Sequence, residues 1–140
     1  LEQDAGRADI LRQLFHVYSR MNQTDQANQY LQQAEQSDLD FLARNSLSVA
    51  AHLSLATTYE LMGKTLAAED HRQGSLQIAR LNQKRAPKNS AAAYWLGQAL
   101  EATAATDEAL QVYRHALELD PGSLRARKAI RRLTNALTDE

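Results

Sequence analysis

Apolar residues recur along this chain at a fixed distance of 41 residues. Large side chains show the interval twice, at Leu14, Leu55 and Leu96 and at Tyr18, Tyr59 and Leu100. Small side chains repeat it too, at Ala27, Ala68 and Ala109 and at Ala34, Ser75 and Ala116. Such a period is typical of helical repeats, in which each unit buries its apolar face only against its neighbours. The pattern therefore predicts three copies of one helix pair.

Within the first copy, apolar spacings of three and four residues predict two amphipathic helices. The first runs from about Arg7 to Met21, and either Thr24 or Asp25 can cap the second. We expect the first helix to turn the following residues toward the core: Ile10, Leu11, Leu14, Phe15 and Tyr18. The second is expected to contribute Ala27, Tyr30, Leu31, Ala34, Leu39, Phe41 and Leu42.

The same pattern predicts an all-α fold in a single domain that covers residues 1–140. Repeats are expected at about residues 8–45, 48–86 and 89–122, with Asn89 or Ser90 capping the start of the third. A capping helix follows at about residues 124–137. Its apolar stripe is Leu124, Ile130, Leu133 and Leu137.

The third copy resembles the tetratricopeptide repeat. The resemblance rests on Leu96-Gly97-x2-Leu100, Ala109-x3-Tyr113, Ala116 and Asp120-Pro121. In this pattern small residues stand where paired helices touch, and large residues fill the gaps between them. The resemblance covers roughly Ala8 to Ser123 and implies an α-solenoid, a right-handed superhelix of three antiparallel helix pairs plus the capping helix.

The second copy fits this pattern in two registers along its second helix. In one register Arg72 and Ser75 occupy the positions of Tyr113 and Ala116. A shift of one residue instead brings Ala67, His71 and Gly74 into the pattern. The sequence leaves both registers open.

The interval of 41 residues exceeds the usual ~34 residues of this repeat by about two helical turns. Whole turns lengthen a helix without rotating its apolar face. We therefore expect the helices that begin near Asp25 and Thr65 to exceed about 18 residues, which is five turns at ~3.6 residues each. The helix that begins near Thr106 should be shorter.

Composition excludes several classes of function. The 16 basic and 17 acidic side chains nearly cancel, so no bulk charge attracts nucleic acid or anionic lipid. There is no cysteine for a disulfide, a thiolate nucleophile or a zinc site of the cysteine type. No apolar run approaches the ~20 residues of a membrane span, so we expect no membrane insertion. A start at Leu1 without a signal-type segment suggests a fragment or a processed chain, and the compartment stays undetermined.

No catalytic constellation is evident in the sequence. The four histidines are scattered without the His-Glu-x-x-His spacing of a zinc site, and the five glycines form no phosphate-binding loop. The paired acids Glu69-Asp70 and Asp107-Glu108 lie near helix starts, where the helix dipole favours negative charge. We expect no enzyme activity, no metal and no cofactor.

The resemblance implies a concave groove lined by the first helix of each pair. Carried onto this chain, the groove residues are Arg12, His16, Arg20, Leu53, Thr57, Glu60, Tyr94, Trp95, Gln98 and Glu101. Because neighbouring residues of a helix point about 100° apart, Tyr94 and Trp95 cannot both face the core. One of them is therefore a candidate anchor for a partner, although Trp95 packing on another helix explains the pair equally well. The charges predict a partner whose acidic end meets Arg12 and whose basic end meets Glu101.

Some members of this family hold a C-terminal carboxylate with a clamp of Lys, Asn and Arg. Here Arg12 fits one clamp position, but His16, Ala91 and Trp95 occupy the others, so we expect no such clamp. The last helix carries a basic patch of Arg125, Arg127, Lys128, Arg131 and Arg132. This patch indicates a solubilising cap, and the alternative is a docking patch for acidic protein, lipid or nucleic acid. Of these, nucleic acid is least favoured because no aromatic residue is interleaved.

The leading hypothesis is a non-catalytic adaptor or scaffold that binds a peptide or helix of another protein in the groove. The alternative is a structural spacer or a homo-oligomerising solenoid that associates through Leu1, Ile10 and Phe15. A third possibility is a regulatory domain of an enzyme whose catalytic part lies elsewhere.

Overall fold

The computed structural model describes residues 6–138 and contains seven helices in that range. They are α1 (Arg7–Arg20), α2 (Thr24–Arg44), α3 (Val49–Leu61), α4 (Thr65–Arg85), α5 (Ser90–Ala102), α6 (Thr106–Leu119) and α7 (Leu124–Thr138). Residues 6–138 include no strand. The predicted all-α fold of successive helix pairs with a final single helix is confirmed. None of these helices is both long and apolar enough to cross a membrane.

The residues group into two compact units, one that ends at Ser75 and one that begins at Leu76. In the first unit α1 packs on α2 and α2 packs on α3. In the second unit α5 packs on α6 and α6 packs on α7. Helix α4 contributes residues to both units. The assignment of residues 1–140 to a single domain stays a prediction.

Helix lengths follow the expectation from the repeat interval. Helices α2 and α4 each have 21 residues, whereas α6 has 14. The difference corresponds to about two turns, which leaves the apolar face of the helix on the same side. The predictions of two long helices and one shorter helix are confirmed.

The turns inside the three helix pairs adopt one backbone conformation. Asn22, Gly63 and Ala104 all lie in the left-handed region, with φ of 58°, 76° and 63°. The residue after each donates its backbone N–H to a carbonyl in the preceding helix, for example Gln23 to Tyr18 at 3.0 Å. This arrangement satisfies carbonyl groups that the helix end would otherwise leave unpaired. The repeat is therefore present in the backbone as well as in the side chains.

Helix starts agree with the predictions at one site and differ at another. Asn89 caps α5 by accepting a hydrogen bond from the N–H of Ala92 at 3.1 Å, as expected. The expectation that Thr24 or Asp25 caps α2 is wrong. Gln23 is the N-cap and makes no side-chain cap bond, because the tight turn after α1 lets α2 begin at Thr24.

The core of the first unit is built largely from small side chains. Ala8, Leu11 and Ala34 form a buried cluster against which Tyr30 packs. Two residues expected to face the core, Ile10 and Leu39, are exposed instead. Ile10 lies on the side of the first helix that no described helix covers, and Leu39 directly follows the buried Asp38 and therefore points away from it.

In the core of the second unit, three helices pack against one another through alanine residues. Ala93, Ala116 and Ala126 are fully buried where α5, α6 and α7 meet. In the predicted apolar stripe of α7, Leu133 is buried and Ile130 is half-buried, whereas Leu124 at the start of the helix is exposed. The side chain of Leu137 lies outside the described residues. Gly97 packs directly against the ring of Tyr113, which no larger residue could do without displacing that ring.

Helix α4 takes the register that preserves the interval of 41 residues. Ala68 and Ser75 are fully buried. Ala67, His71 and Gly74 are only half-buried, so the shifted register is not the one adopted. Arg72 therefore occupies the position of Tyr113, and its guanidinium reaches the carboxylate of Glu60.

Candidate functional site

Arg12 of α1 is tied to α3 rather than left free at the surface. Its Nη1 donates to the carbonyl oxygen of Ser54 at 3.2 Å, to Ser54 Oγ at 2.9 Å and to Thr58 Oγ1 at 3.0 Å. Only 12% of its side chain is exposed. These hydrogen bonds leave little of the guanidinium for a partner, so Arg12 holds α1 against α3.

The carboxylate of Asp38 completes this polar cluster inside the first unit. Ser54 Oγ donates to Asp38 Oδ2 at 2.8 Å, and Arg12 Nη1 lies 3.9 Å from the same oxygen. Burial raises the pKa of Asp38 to about 6, although the Ser54 hydrogen bond and the Arg12 charge act in the opposite direction. The sequence prediction missed this residue. A signal was present, because Asp38 continues the buried series Ala27, Leu31 and Ala34 along α2.

The other predicted residues of the first unit lie on two helices. His16 and Arg20 are exposed one turn apart on α1, and the His16 ring lies 5.2 Å from that of Phe15. On α3, Leu53 is half-buried, whereas Thr57 and Glu60 are exposed along the same side. Thr57 Oγ1 donates to the Leu53 carbonyl at 3.1 Å. Each helix therefore presents a short mixed surface within this unit.

Two histidines that seemed scattered in the sequence meet between α3 and α4. Nδ1 of His52 lies 3.0 Å from Nδ1 of His71, and Nε2 of His52 lies 3.2 Å from the Ser46 carbonyl oxygen. A carbonyl can only accept, so neutral His52 carries its proton on Nε2 and accepts at Nδ1 from His71. Burial and then the proximity of His52 lower the pKa of His71, against the effect of Asp70. Their separation of 19 residues gave no sequence signal for this contact.

In the second unit Glu101 is the centre of a hydrogen-bonded network. Arg132 donates to its two oxygens at 2.6 and 2.7 Å, and the hydroxyl of Tyr113 donates to Oε1 at 2.5 Å. Burial alone would raise the pKa of Glu101, but the hydrogen bonds from Arg132 and Tyr113 outweigh burial and lower it. The pKa of Tyr113 is raised, by burial first and by Glu101 second. The charge of Glu101 is thus balanced inside the protein.

The aromatic residues of α5 adjoin this network. Gln98 Nε2 donates to the hydroxyl of Tyr94 at 3.1 Å and to that of Tyr113 at 2.8 Å. The guanidinium carbon of Arg125 lies 5.7 Å from the centre of the Tyr94 ring, within cation–π range. Trp95 is half-buried and meets Tyr94 edge to face, with centroids 5.3 Å apart. Tyr94, whose ring Trp95 meets, is therefore held in place before any partner arrives.

The predicted basic patch on α7 is divided among different contacts. Arg132 pairs with Glu101, Arg125 lies over Tyr94, and Arg127 donates to the carbonyl oxygen of Pro121 at 2.5 Å. Lys128 and Arg131 are exposed. Much of the positive charge of this helix is thus used within the second unit.

The structure groups the predicted site residues by unit. Arg12, His16, Arg20, Leu53, Thr57 and Glu60 belong to the first unit, and Tyr94, Trp95, Gln98 and Glu101 belong to the second. Within residues 6–138, no three His, Cys, Asp or Glu side chains stand close enough together to hold a metal ion.

Residues 90–123 match the family model of the tetratricopeptide repeat. Comparison with curated proteins gives no match. Among solved structures, the chain is similar to the first TPR domain of Spaghetti (RPAP3) bound to the HSP90 peptide SRMEEVD, at 19% identity over 96% of this chain and 95% of that one, with a TM-score of 0.39. It is also similar to the Sgt2 TPR domain from Aspergillus fumigatus, at 17% identity over 94% of this chain and 80% of that one, with a TM-score of 0.47.

Proposed function

From the premise that residues 90–123 are a tetratricopeptide repeat, a kind of repeat that serves protein interaction, we propose that this chain is a non-catalytic adaptor. It binds a peptide or a helical segment of another protein on the outer faces of the first helices of its pairs. These faces comprise His16 and Arg20 on α1, Leu53, Thr57 and Glu60 on α3, and Tyr94, Trp95 and Gln98 on α5. Arg12 and Glu101 belong to the proposal as residues that support these faces.

The observation that carries the proposal is the fixed environment of Trp95. Its neighbour Tyr94 is held by Gln98 at 3.1 Å and lies under Arg125, and Gln98 is in turn held by Tyr113. Side chains that are already ordered lose little conformational entropy when a partner binds. An aromatic side chain beside polar groups is also a typical hot spot of protein interfaces. The face of α5 therefore has the chemistry and the rigidity of a binding surface.

The internal ion pairs change the expected charge pattern of the partner. The sequence suggested that Arg12 receives an acidic group and Glu101 a basic one, but Arg12 already lies beside Asp38 and Glu101 is already paired with Arg132. More than half of the Arg132 side chain remains exposed beside Glu101. We therefore expect a partner segment with an apolar anchor next to Trp95 and a carboxylate or carbonyl group near Arg132.

A test of this proposal selects binders from a library of random 12-residue peptides and compares their affinities for a small set of variants. We expect Trp95→Ala to lower the affinity for the selected peptides by roughly tenfold or more, which is the range of a hot-spot residue. Trp95→Phe should recover part of the affinity, because the ring face remains. Leu66→Ala is the matched control, since Leu66 is 84% exposed but lies on α4, outside the proposed faces.

Selected peptides that bind the Trp95→Ala variant and the wild-type chain equally would contradict the proposal, provided that both proteins show the same thermal unfolding curve. A loss caused equally by Leu66→Ala would point to nonspecific apolar adhesion and would contradict it as well. The carboxylate clamp is not part of the proposal, so amidating the C-terminus of a selected peptide should leave its affinity unchanged.

A further inference from the structure

Helix α1 carries an apolar strip that faces solvent. Ile10, Val17 and Met21 are 60%, 49% and 56% exposed, and half-buried Leu14 lies between them. Residues spaced by three, four and seven positions share one side of a helix, so these four side chains form a continuous strip, here named the α1 face. Large aliphatic side chains exposed in a row commonly mark an interaction surface.

In the next repeat, the positions equivalent to the α1 face are covered by another helix. Displaced by 41 residues, Ile10 and Val17 correspond to Ala51 and Thr58 of α3, and both of these are buried. Helix α2 packs along α3, where Ser54 meets Asp38 at 2.8 Å and Asp38 and Phe41 face Ala50 and Ala51 across a small cleft. No helix among residues 6–138 lies on α1 in the corresponding way, and α1 carries larger apolar side chains there.

We propose that the α1 face docks an amphipathic helix from another polypeptide, antiparallel to α1, with acidic residues along the edges of its apolar ridge. The orientation follows from the repeat, because α2 runs antiparallel to α3 at the equivalent face. The docked helix covers Ile10 as α2 covers Ala51 of α3, and it extends along the same strip over Val17 and Met21. The apolar strip itself contains none of the residues of the outer faces in the proposed function, and Arg20 borders both surfaces.

Charge at the edges of the α1 face determines the kind of helix that fits. Arg7 and Arg20 are exposed toward its two ends. The carboxylate of Asp9 already lies 3.8 Å from Arg12 and 3.5 Å from Gln13, and that of Asp40, which borders one cleft with Arg7, accepts a hydrogen bond from Gln36 at 2.8 Å. Arginines beside an apolar strip attract carboxylates of a partner and repel cationic ones, which sets partner choice and orientation.

The same charges argue against a second copy of this chain as the occupant. A symmetric contact between two α1 faces brings Arg7 and Arg20 of each copy toward those of the other. A contact with α7 of another copy brings exposed Arg127, Lys128 and Arg131 to the same place. Because like charges across an interface oppose association, an acid-edged helix of a different polypeptide fits better.

Two synthetic helical peptides of 21 residues, the length of α2, test the inference on the whole chain. Both carry leucine along one ridge; one has glutamate at the flanking positions, and the other has lysine at those positions. Fluorescence anisotropy should show that the glutamate peptide binds at least about tenfold more tightly than the lysine peptide. Chemical-shift changes on adding the glutamate peptide should concentrate in α1.

Variants then identify the surface. Ile10→Gln together with Val17→Gln should lower the affinity for the glutamate peptide by about tenfold or more, because the apolar contacts of the peptide are lost. Leu66→Gln is the matched control and should bind like the wild-type chain. If the double variant shows a lowered unfolding temperature, Met21→Gln alone replaces it, with weaker binding still expected.

Three results overturn the inference. The first is equal binding of the glutamate and lysine peptides. The second is unchanged binding by the Ile10, Val17 and Met21 variants. The third is sedimentation behaviour of the chain alone that shows a dimer abolished by Val17→Gln, since the α1 face would then be occupied by a second copy.

Discussion

Replacing Ala104 by glycine should stabilise this protein, although glycine usually weakens a folded chain. Ala104 lies in the turn after α5 with φ of 63°, in the left-handed region where Cβ crowds the following carbonyl. For a residue other than glycine that conformation costs roughly 1–2 kcal/mol. The equivalent residue of the second repeat is Gly63, with φ of 76°, and there the backbone carries no such strain.

The magnitude follows from two opposing effects. Ala104→Gly removes about 1–2 kcal/mol of backbone strain. It also gives the unfolded chain more conformational freedom, which costs about 0.4–1 kcal/mol. We therefore expect a net gain of about 0.5–1 kcal/mol in the free energy of unfolding. Gly63→Ala should have the opposite effect of similar size, because a Cβ at that position would meet no atom within 4 Å and only the backbone strain remains.

Urea unfolding followed by circular dichroism measures both changes, with each variant compared with the wild-type chain at one pH and temperature. Ala102→Gly is the matched control, since it makes the same substitution two residues earlier inside α5. In helical backbone that change should destabilise, by up to ~1 kcal/mol. The reasoning is refuted if Ala104→Gly and Ala102→Gly both destabilise, because the sign would then depend on residue type and not on φ.

Two further predictions concern the buried contacts. Asp38→Asn should stabilise the protein by about 1–3 kcal/mol at pH 7, because the folded-state pKa of about 6 exceeds the unfolded value near 3.9. The carboxyl of Asp38 therefore loses its proton at lower pH in the unfolded chain than in the folded one. The stability that Asp38 contributes is present below about pH 4 and is lost as the pH rises to about 6. The free energies of unfolding of the wild-type chain and the variant, measured in urea, should converge at low pH, and a constant difference across this range would contradict the assignment. Gly97→Ala should cost about 1–3 kcal/mol, because its Cβ would lie 2.7 Å from Cδ1 of Tyr113, whose hydroxyl is held by Glu101 and Gln98. Urea melts should show that the cost largely disappears when Tyr113 is already leucine; an additive double variant would mean that Tyr113 does not cause it.

Features that depend on neighbouring residues in the chain were predictable from the sequence. The cap at Asn89 follows from the preferences of individual residues, and the lengths of α2 and α4 follow from the interval at which apolar residues repeat. A close helix contact at Gly97 was also expected from the repeat pattern, and the structure identifies the ring of Tyr113 as the group that it meets. The register of α4 could not be chosen from the sequence, because two registers bury similar sets of small residues.

What only the tertiary structure decided is which side chains meet. Glu101 and Arg132 are 31 residues apart, and Arg12 and Thr58 are 46 apart, so no local pattern shows that each already has a partner. The exposure of Ile10 has the same origin, because helical periodicity shows that a helix has an apolar side but not whether another helix covers it. Local sequence determined the elements of this protein, whereas contacts between elements determined which charges are neutralised and which apolar surface remains open. The physical reason is that helix formation depends on residues within a few turns, while burial and ion pairing depend on residues that only folding brings together.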